Sequence, residues 1–337
     1  MATTIHTATE LPAATVIEAA MARIPVELKA PRIEDHRRSS TGVDFVHTFE
    51  SGLPGPHVMV NAITHGNEIC GAIAVDRMLR MGVKPARGTL TLAFANIEAF
   101  SRFDPARPYA TRFVDEDFNR VWRTATLDGP GQSVELARAR ALRPFVEAAD
   151  YLLDIHSMLE PSPAVMICGP LEKGIRFAFD VGVPENVVSD TGHANGTRMR
   201  DFGGFGDPSS AKNALLVECG QHWERNAEQV AWQTTWRYLL ALDVVDPAIA
   251  AKQIAAQPAP AQKLIRVTDA IIATSPAFRF AKEFAGMEVV ARAGDVIAYD
   301  GDQVVKAPYD NCVLVMPVPN NVKVGLTAVR LGRIEAR

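Results

Sequence analysis

The feature that most constrains this chain is a series of short, strongly apolar segments separated by amphipathic ones. Segments 43–49, 57–64, 88–96, 151–157, 163–169, 186–191 and 214–220 are rich in Val, Ile, Leu and Phe and read as strands. Several are apolar at successive positions, so both faces must be covered. That pattern belongs to a mostly parallel sheet with helices on both sides. Three stretches between them, 67–82, 134–149 and 224–244, carry apolar residues at helical spacing. Residues 11–23 read as a further short helix.

The pattern changes after residue 245. Residues 246–262 are rich in Ala, Gln and Pro and read as a connector. Beyond it, 264–274, 288–299, 303–317 and 324–334 are short strand-like runs broken by Gly, Pro and Asp. The expected organisation is an α/β catalytic domain over residues 1–250 and a smaller all-β, barrel-sandwich-like domain over 263–337. A chain of 337 residues is long enough for both.

Composition excludes several classes. The formal net charge is -4, without the clustered basic footprint of a nucleic-acid binder. No apolar run reaches the ~18 residues of a membrane helix, and the N-terminus lacks a basic start followed by an apolar core. A cytoplasmic location is the resulting expectation. Cys70, Cys168, Cys219 and Cys312 form no C-x-x-C pair and read as small buried hydrophobes.

Two of the eight histidines stand apart. His65 lies where an apolar strand ends and a helix is about to begin. His156 lies at the end of another strand. Strand ends are where α/β sheets form ligand crevices. His65 and Glu68 form an H-x-x-E pair that a helix start places on one face. With His156 as a distant third ligand, the set is two imidazoles and a carboxylate. That is a zinc donor set with one position left for water, the pattern of a catalytic site. The chain has no H-E-x-x-H, which excludes that helix-borne class.

Three further segments carry chemistry. Residues 110–122 hold Arg112, Asp115, Asp117, Asn119 and Arg120. They read either as a charged loop or as a carboxylate clamp, since a guanidinium fork matches a carboxylate and Asn adds a neutral donor. Glu218 ends the apolar strand 214–220. It is either bonded to backbone amides or a general base whose pKa its apolar surroundings raise. Asp154 shares a strand face with His156 and either orients that ring or caps a loop.

HGNE, TRFVDEDFNR, LLDIHS and LLVECG together resemble, in order and spacing, the succinylglutamate desuccinylase/aspartoacylase family of the zinc carboxypeptidase-like (M14-type) group. The resemblance spans about residues 40–245. It implies one Zn²⁺ per chain held by His65, Glu68 and His156. It implies Glu218 as the catalytic carboxylate and Arg112 as the group that polarises the scissile carbonyl. Asn119 and Arg120 match the pair that grips the substrate carboxylate. Asp117 matches a carboxylate that steadies the first zinc histidine.

The implied activity is deacylation: hydrolysis of the amide of an N-acyl amino acid or related small carboxylate. Rivals are a metallocarboxypeptidase, an esterase and a non-catalytic carboxylate-binding protein on the same fold. The implied partner is a small molecule, with neither nucleic acid nor membrane, and homo-oligomers are common in the family.

The chain also departs from the pattern. Where aspartoacylase-like members carry an arginine shortly before the catalytic glutamate, this chain has Pro208, with Lys212, Arg198 and Arg200 as candidate replacements. His222 is either a pocket-lining residue or a satisfied loop histidine. The stretch 293–315 is similar to the half-barrels of biotinyl and lipoyl carrier domains but lacks their modifiable hairpin lysine. It reads as a lid or an oligomer surface, from which Tyr309 is expected to reach the site.

Overall fold

The computed structural model describes residues 24–192, 195–255, 260–318 and 322–335. The helix expected at 11–23 falls outside them. Seven strands of the first part are β1 (Val46–Glu50), β2 (His57–Ala62), β3 (Thr89–Phe94), β4 (Tyr151–Met158), β5 (Val165–Ile167), β6 (Asn186–Ser189) and β7 (Asn213–Gln221). They are followed by β8 (Lys263–Ile272), β9 (Arg279–Phe280), β10 (Glu288–Val290), β11 (Val296–Asp300), β12 (Gln303–Lys306), β13 (Cys312–Val315) and β14 (Thr327–Glu335).

One sheet runs in the order β1-β3-β2-β4-β7-β5-β6-β8-β14-β13-β10, and a small antiparallel one in the order β12-β11-β9. Strands β3, β2, β4 and β7 pair parallel, as do β5, β6 and β8. Antiparallel pairs flank them. The large sheet therefore continues from the α/β part into the C-terminal strands through β8.

Side-chain alternation explains the double cover. Val58, Val60 and Ala62 of β2 join Leu153 and Ile155 of β4 and Val217 of β7 in one core. That core also holds buried residues of the helices Ile69–Arg80, Glu172–Val181 and Arg225–Ala241. Met59, Leu152 and Ala214, one position out of phase, join a second core with Leu136, Ala139, Leu142 and Val146 of the Val134–Ala148 helix. Both faces of the central strands are thus dry, as their composition demands.

Gly71 lets the Ile69–Arg80 helix lie against the sheet, since a Cβ there would sit 2.9 Å from Ile155 Cγ2. A separate cluster with Ile297, Leu314 and Leu331 fills the C-terminal part. All four cysteines are free and buried. Among the described residues no helix is long and apolar enough to cross a membrane.

Candidate active site

Three parallel strands deliver their C-terminal ends to one crevice. β2 ends in a turn where Ile63 takes φ 54°, a costly left-handed conformation for a β-branched residue. His65 and Glu68 follow at once. His156 lies on β4, directly opposite Glu218 of β7 in the parallel register. Residues distant in sequence therefore meet because neighbouring strands end together.

His65, Glu68 and His156 offer ligand atoms that all lie within 4.8 Å of one another, and all three are buried. Glu68 is the hub: Oε1 lies 2.7 Å from His65 Nδ1 and Oε2 lies 2.8 Å from His156 Nδ1. The opposite ring nitrogens are backed by carboxylates. His65 Nε2 is 3.0 Å from Asp117 Oδ1, and His156 Nε2 is 2.9 Å from Asp154 Oδ2. Asp154 is itself held by Asn61 and Thr64. In the neutral tautomer that gives each Nε2 proton to its carboxylate, both Nδ1 lone pairs would turn inward, although Arg112 Nη2 also lies 2.9 Å from His65 Nε2. This chemistry suits a divalent cation such as zinc.

Electrostatics follow from this packing. Burial pushes Glu68 up, but the two imidazoles outweigh it and hold its carboxyl well below the ordinary range. Burial pushes His156 down, and Asp154 and Glu68 more than reverse that. Glu218 behaves oppositely. Burial, reinforced by Glu68, raises its carboxyl to about 8 against the pull of His156 and Arg112. Its Oε2 is buried without a hydrogen-bond partner among the described residues. A carboxylate so placed is poised to exchange a proton.

The 112–120 loop is pinned from beneath. Buried Glu135, one helix away, accepts hydrogen bonds from the backbone amides of Val114 (2.7 Å), Asp115 (3.0 Å) and Glu116 (3.3 Å). Arg112 donates to Asp117 Oδ2 at 3.2 Å and to Glu68 Oε1 at 3.4 Å. Asn119 Oδ1 accepts from Met199 N at 3.0 Å, and Arg120 Nη1 donates to Asn119 O at 2.8 Å. Asp115 faces away, accepting from Val134 N.

His65, Glu68, Arg112, Asn119, Arg120, His156 and Glu218 all line one cavity of about 190 Å³. Asp117 stands behind it. His222 lines it too, with Nδ1 2.8 Å from Ser157 Oγ, and burial lowers its imidazole to about 3. Of the three candidate replacement cations only Arg198 reaches the cavity. Arg200 donates to Cys168 O and Ala214 O, and Lys212 to Glu147 O and Ala149 O.

Tyr309 requires correction. Its hydroxyl lies 2.6 Å from Thr268 Oγ1, its ring faces the Arg333 guanidinium, and it packs on the C-terminal core instead of lining the cavity. The C-terminal part reaches the cavity through Gly286, residues 315–318 and Arg330. Arg330, Asp190 and Glu135 are the residues that sequence reasoning missed. The signal for Arg330 was a lone cation in the apolar run Ala328–Leu331; Glu135, inside a charged helix, gave none.

Comparisons with known proteins bear on the family and the fold. The family model for the succinylglutamate desuccinylase/aspartoacylase catalytic domain matches residues 54–234, more than half of the chain. A succinylglutamate desuccinylase from Vibrio cholerae is 17% identical with a TM-score of 0.63, covering 88% of this chain and 89% of its own. A succinylglutamate desuccinylase/aspartoacylase from Rhodobacter sphaeroides is 15% identical with a TM-score of 0.63, covering 88% and 90%. The product-bound ectoine utilization protein from Ruegeria pomeroyi is 14% identical with a TM-score of 0.61, covering 85% and 88%. At these identities the structural likeness speaks for the fold. A search of curated proteins finds no significant match.

Proposed function

The chain belongs to the succinylglutamate desuccinylase/aspartoacylase family, and from that premise we propose that it is a zinc-dependent amidohydrolase. Its substrate is an N-acyl amino acid or a related small carboxylate. The observation that carries this reading is the convergence of His65, Glu68 and His156 within 4.8 Å, beside a carboxylate oxygen of Glu218 that has no hydrogen-bond partner among the described residues.

In this reading those three side chains would hold one Zn²⁺, which would supply Lewis acidity toward the amide carbonyl and water. Every other task falls to the chain. Glu218 takes a proton from the attacking water and passes it to the leaving amine. Its raised pKa keeps that transfer reversible near neutrality. Arg112 donates to the oxygen that becomes negative, an effect worth about 3–4 kcal/mol per well-placed donor. Asn119 and Arg120 hold the substrate carboxylate and so fix the amide against Glu218. Asp117 and Asp154 keep the imidazoles turned toward Glu68. The α/β part, residues 1–250, carries this chemistry, and residues 263–337 close one side of the cavity. That closure favours small substrates over extended peptides.

The test is a substrate panel: zinc-loaded protein against N-acetyl and N-succinyl amino acids, N-acetyl diamino acids, hippuryl peptides and O-acyl esters. Release of free amino acid from N-acyl amino acids is expected. Glu218→Gln should keep its zinc and lose turnover by roughly 10²–10⁴-fold. Cleavage of peptides alone, or full turnover by Glu218→Gln, contradicts the proposal.

A further inference from the structure

The turn after β7 brings an imidazole to the cavity. Gly220, at φ 107°, bends the chain there, and the residues that follow are pinned on several sides. His222 N donates to Met158 O at 2.8 Å, and Gln221 Nε2 to Leu159 O at 3.1 Å. Trp223 N donates to Gln221 Oε1 at 2.9 Å, and Trp223 Nε1 to Asn67 O at 3.1 Å. The His222 ring packs on the Trp223 ring with centroids 5.4 Å apart. His222 is buried and lines the cavity. The charges that act most on its ring are Glu68, Arg112, His65 and His156. On Arg120 they are Asp117, Arg112 and Arg198. His222 therefore stands at the end of the cavity where the three proposed ligands and Arg112 meet.

Ser157 decides which ring nitrogen carries the proton. It is buried, and its backbone N donates to Glu68 Oε2 at 3.3 Å. Its Oγ lies 2.8 Å from His222 Nδ1, the hydroxyl's one hydrogen-bond partner among the described residues. A buried hydroxyl proton without an acceptor is costly, so Ser157 donates and Nδ1 accepts. Burial keeps the ring uncharged, its imidazole lowered to about 3. A neutral imidazole that accepts at Nδ1 carries its proton at Nε2. Nε2 has no hydrogen-bond partner among the described residues, and the cavity walls beside it include apolar Met158, Ile167 and Leu216. A donor fixed in place before the substrate arrives is effective against a developing negative charge.

We propose that His222 Nε2–H donates a hydrogen bond to the acyl carbonyl oxygen of the substrate as that oxygen becomes negative, with Ser157 as the positioning residue that fixes the tautomer. His222 is then a second donor beside Arg112. This deepens the amidohydrolase reading above and rests on it. His222 keeps its proton throughout, and the proton transfers stay with Glu218.

The experiment compares wild type, His222→Leu, His222→Gln and Ser157→Ala, all full length and zinc-loaded, with zinc content and thermal melting measured for each. On the N-acyl amino acid that wild type cleaves best, His222→Leu should lower kcat and kcat/KM alike by roughly 10²–10³-fold, with KM little changed. His222→Gln, which keeps an N–H donor, should recover part of the loss. Ser157→Ala should lose roughly tenfold in kcat. Full turnover by a zinc-loaded His222→Leu, or a loss confined to KM, overturns the proposal.

Nitrogen-15 spectra of histidine-labelled wild type, with His222 assigned from the His222→Gln variant, supply a readout without turnover. His222 should be neutral with its proton on Nε2, and saturating methylphosphonate, whose oxygens imitate the tetrahedral intermediate, should shift that N–H. A proton on Nδ1, or a ring that does not respond to methylphosphonate, overturns the proposal. If wild type hydrolyses no N-acyl amino acid, the amidohydrolase reading fails, while the spectra still decide whether His222 presents a donor to the cavity.

Discussion

Asp190 sits where Arg198 and Arg330 meet, and its titration should be readable in the stability of the whole protein. Burial alone would raise its pKa, but Arg198, aided by Arg330, holds it at about 2 against an ordinary 3.8. A depressed folded-state pKa adds stability that is present above the ordinary value and lost as pH falls through the folded one. The window is therefore pH 4 to 2. The lost increment is about 2 kcal/mol. Asp190→Asn should be less stable at neutral pH, because Arg198 loses its buried partner. It should also show a flatter acid limb across that window in thermal melts. An acid limb as steep as wild type's would contradict the assignment.

Residue identity was legible in the sequence where chemistry is concentrated at strand ends. His65, Glu68, His156 and Glu218 follow apolar runs that cannot hold a polar group without reason. Arg330 and Asp190 were not legible as partners, because nothing local to either announces the other across more than a hundred residues. Tyr309 was misplaced because a loop tyrosine can face either the cavity or its own core, and the core of Ile297, Leu314 and Leu331 claimed it.

At the scale of elements, the site depends on how tightly the His65–Glu68 turn is wedged. A Cβ on Gly66 would lie 2.4 Å from the Ala99 carbonyl carbon and 2.5 Å from Thr111 O, both backbone atoms. Gly66 N also donates to Arg112 O at 3.0 Å, tying the turn to the 112–120 loop. Gly66→Ala must therefore move backbone. It should cost about 1–3 kcal/mol and weaken metal retention, read by thermal melting and zinc titration. Unchanged values for both would show that the turn has room the structure denies.

Helix and strand periodicity anticipated the seven strands of the first part and the helices Ile69–Arg80, Val134–Ala148 and Arg225–Ala241. The helix Glu172–Val181 escaped it. Gly174 and β-forming Ile and Phe weaken its local signal, yet its close packing demands that glycine, since a Cβ would lie 2.1 Å from Cys168 O.

At the scale of the molecule, a single sheet carries the design. β2, β4 and β7 deliver the side chains proposed to bind metal and act as base, and β8 links the same sheet to β14, β13 and β10. The change of texture after residue 245 was legible as a shift in composition. That the later strands would extend the first sheet was not, because edge pairing leaves no mark in periodicity. The consequence is a cavity whose chemistry comes from the first part and one of whose walls comes from the last.

The central claim is that two imidazoles and one carboxylate hold a catalytic zinc, and metal content tests it most directly. Purified wild type, Glu218→Gln and His156→Ala would be dialysed against zinc, freed of excess and analysed for elements. The account predicts one zinc per chain in wild type and in Glu218→Gln, and well under a tenth of that in His156→Ala, with thermal melting confirming that each variant is folded. Equal zinc in wild type and a folded His156→Ala, or none in wild type, would contradict it.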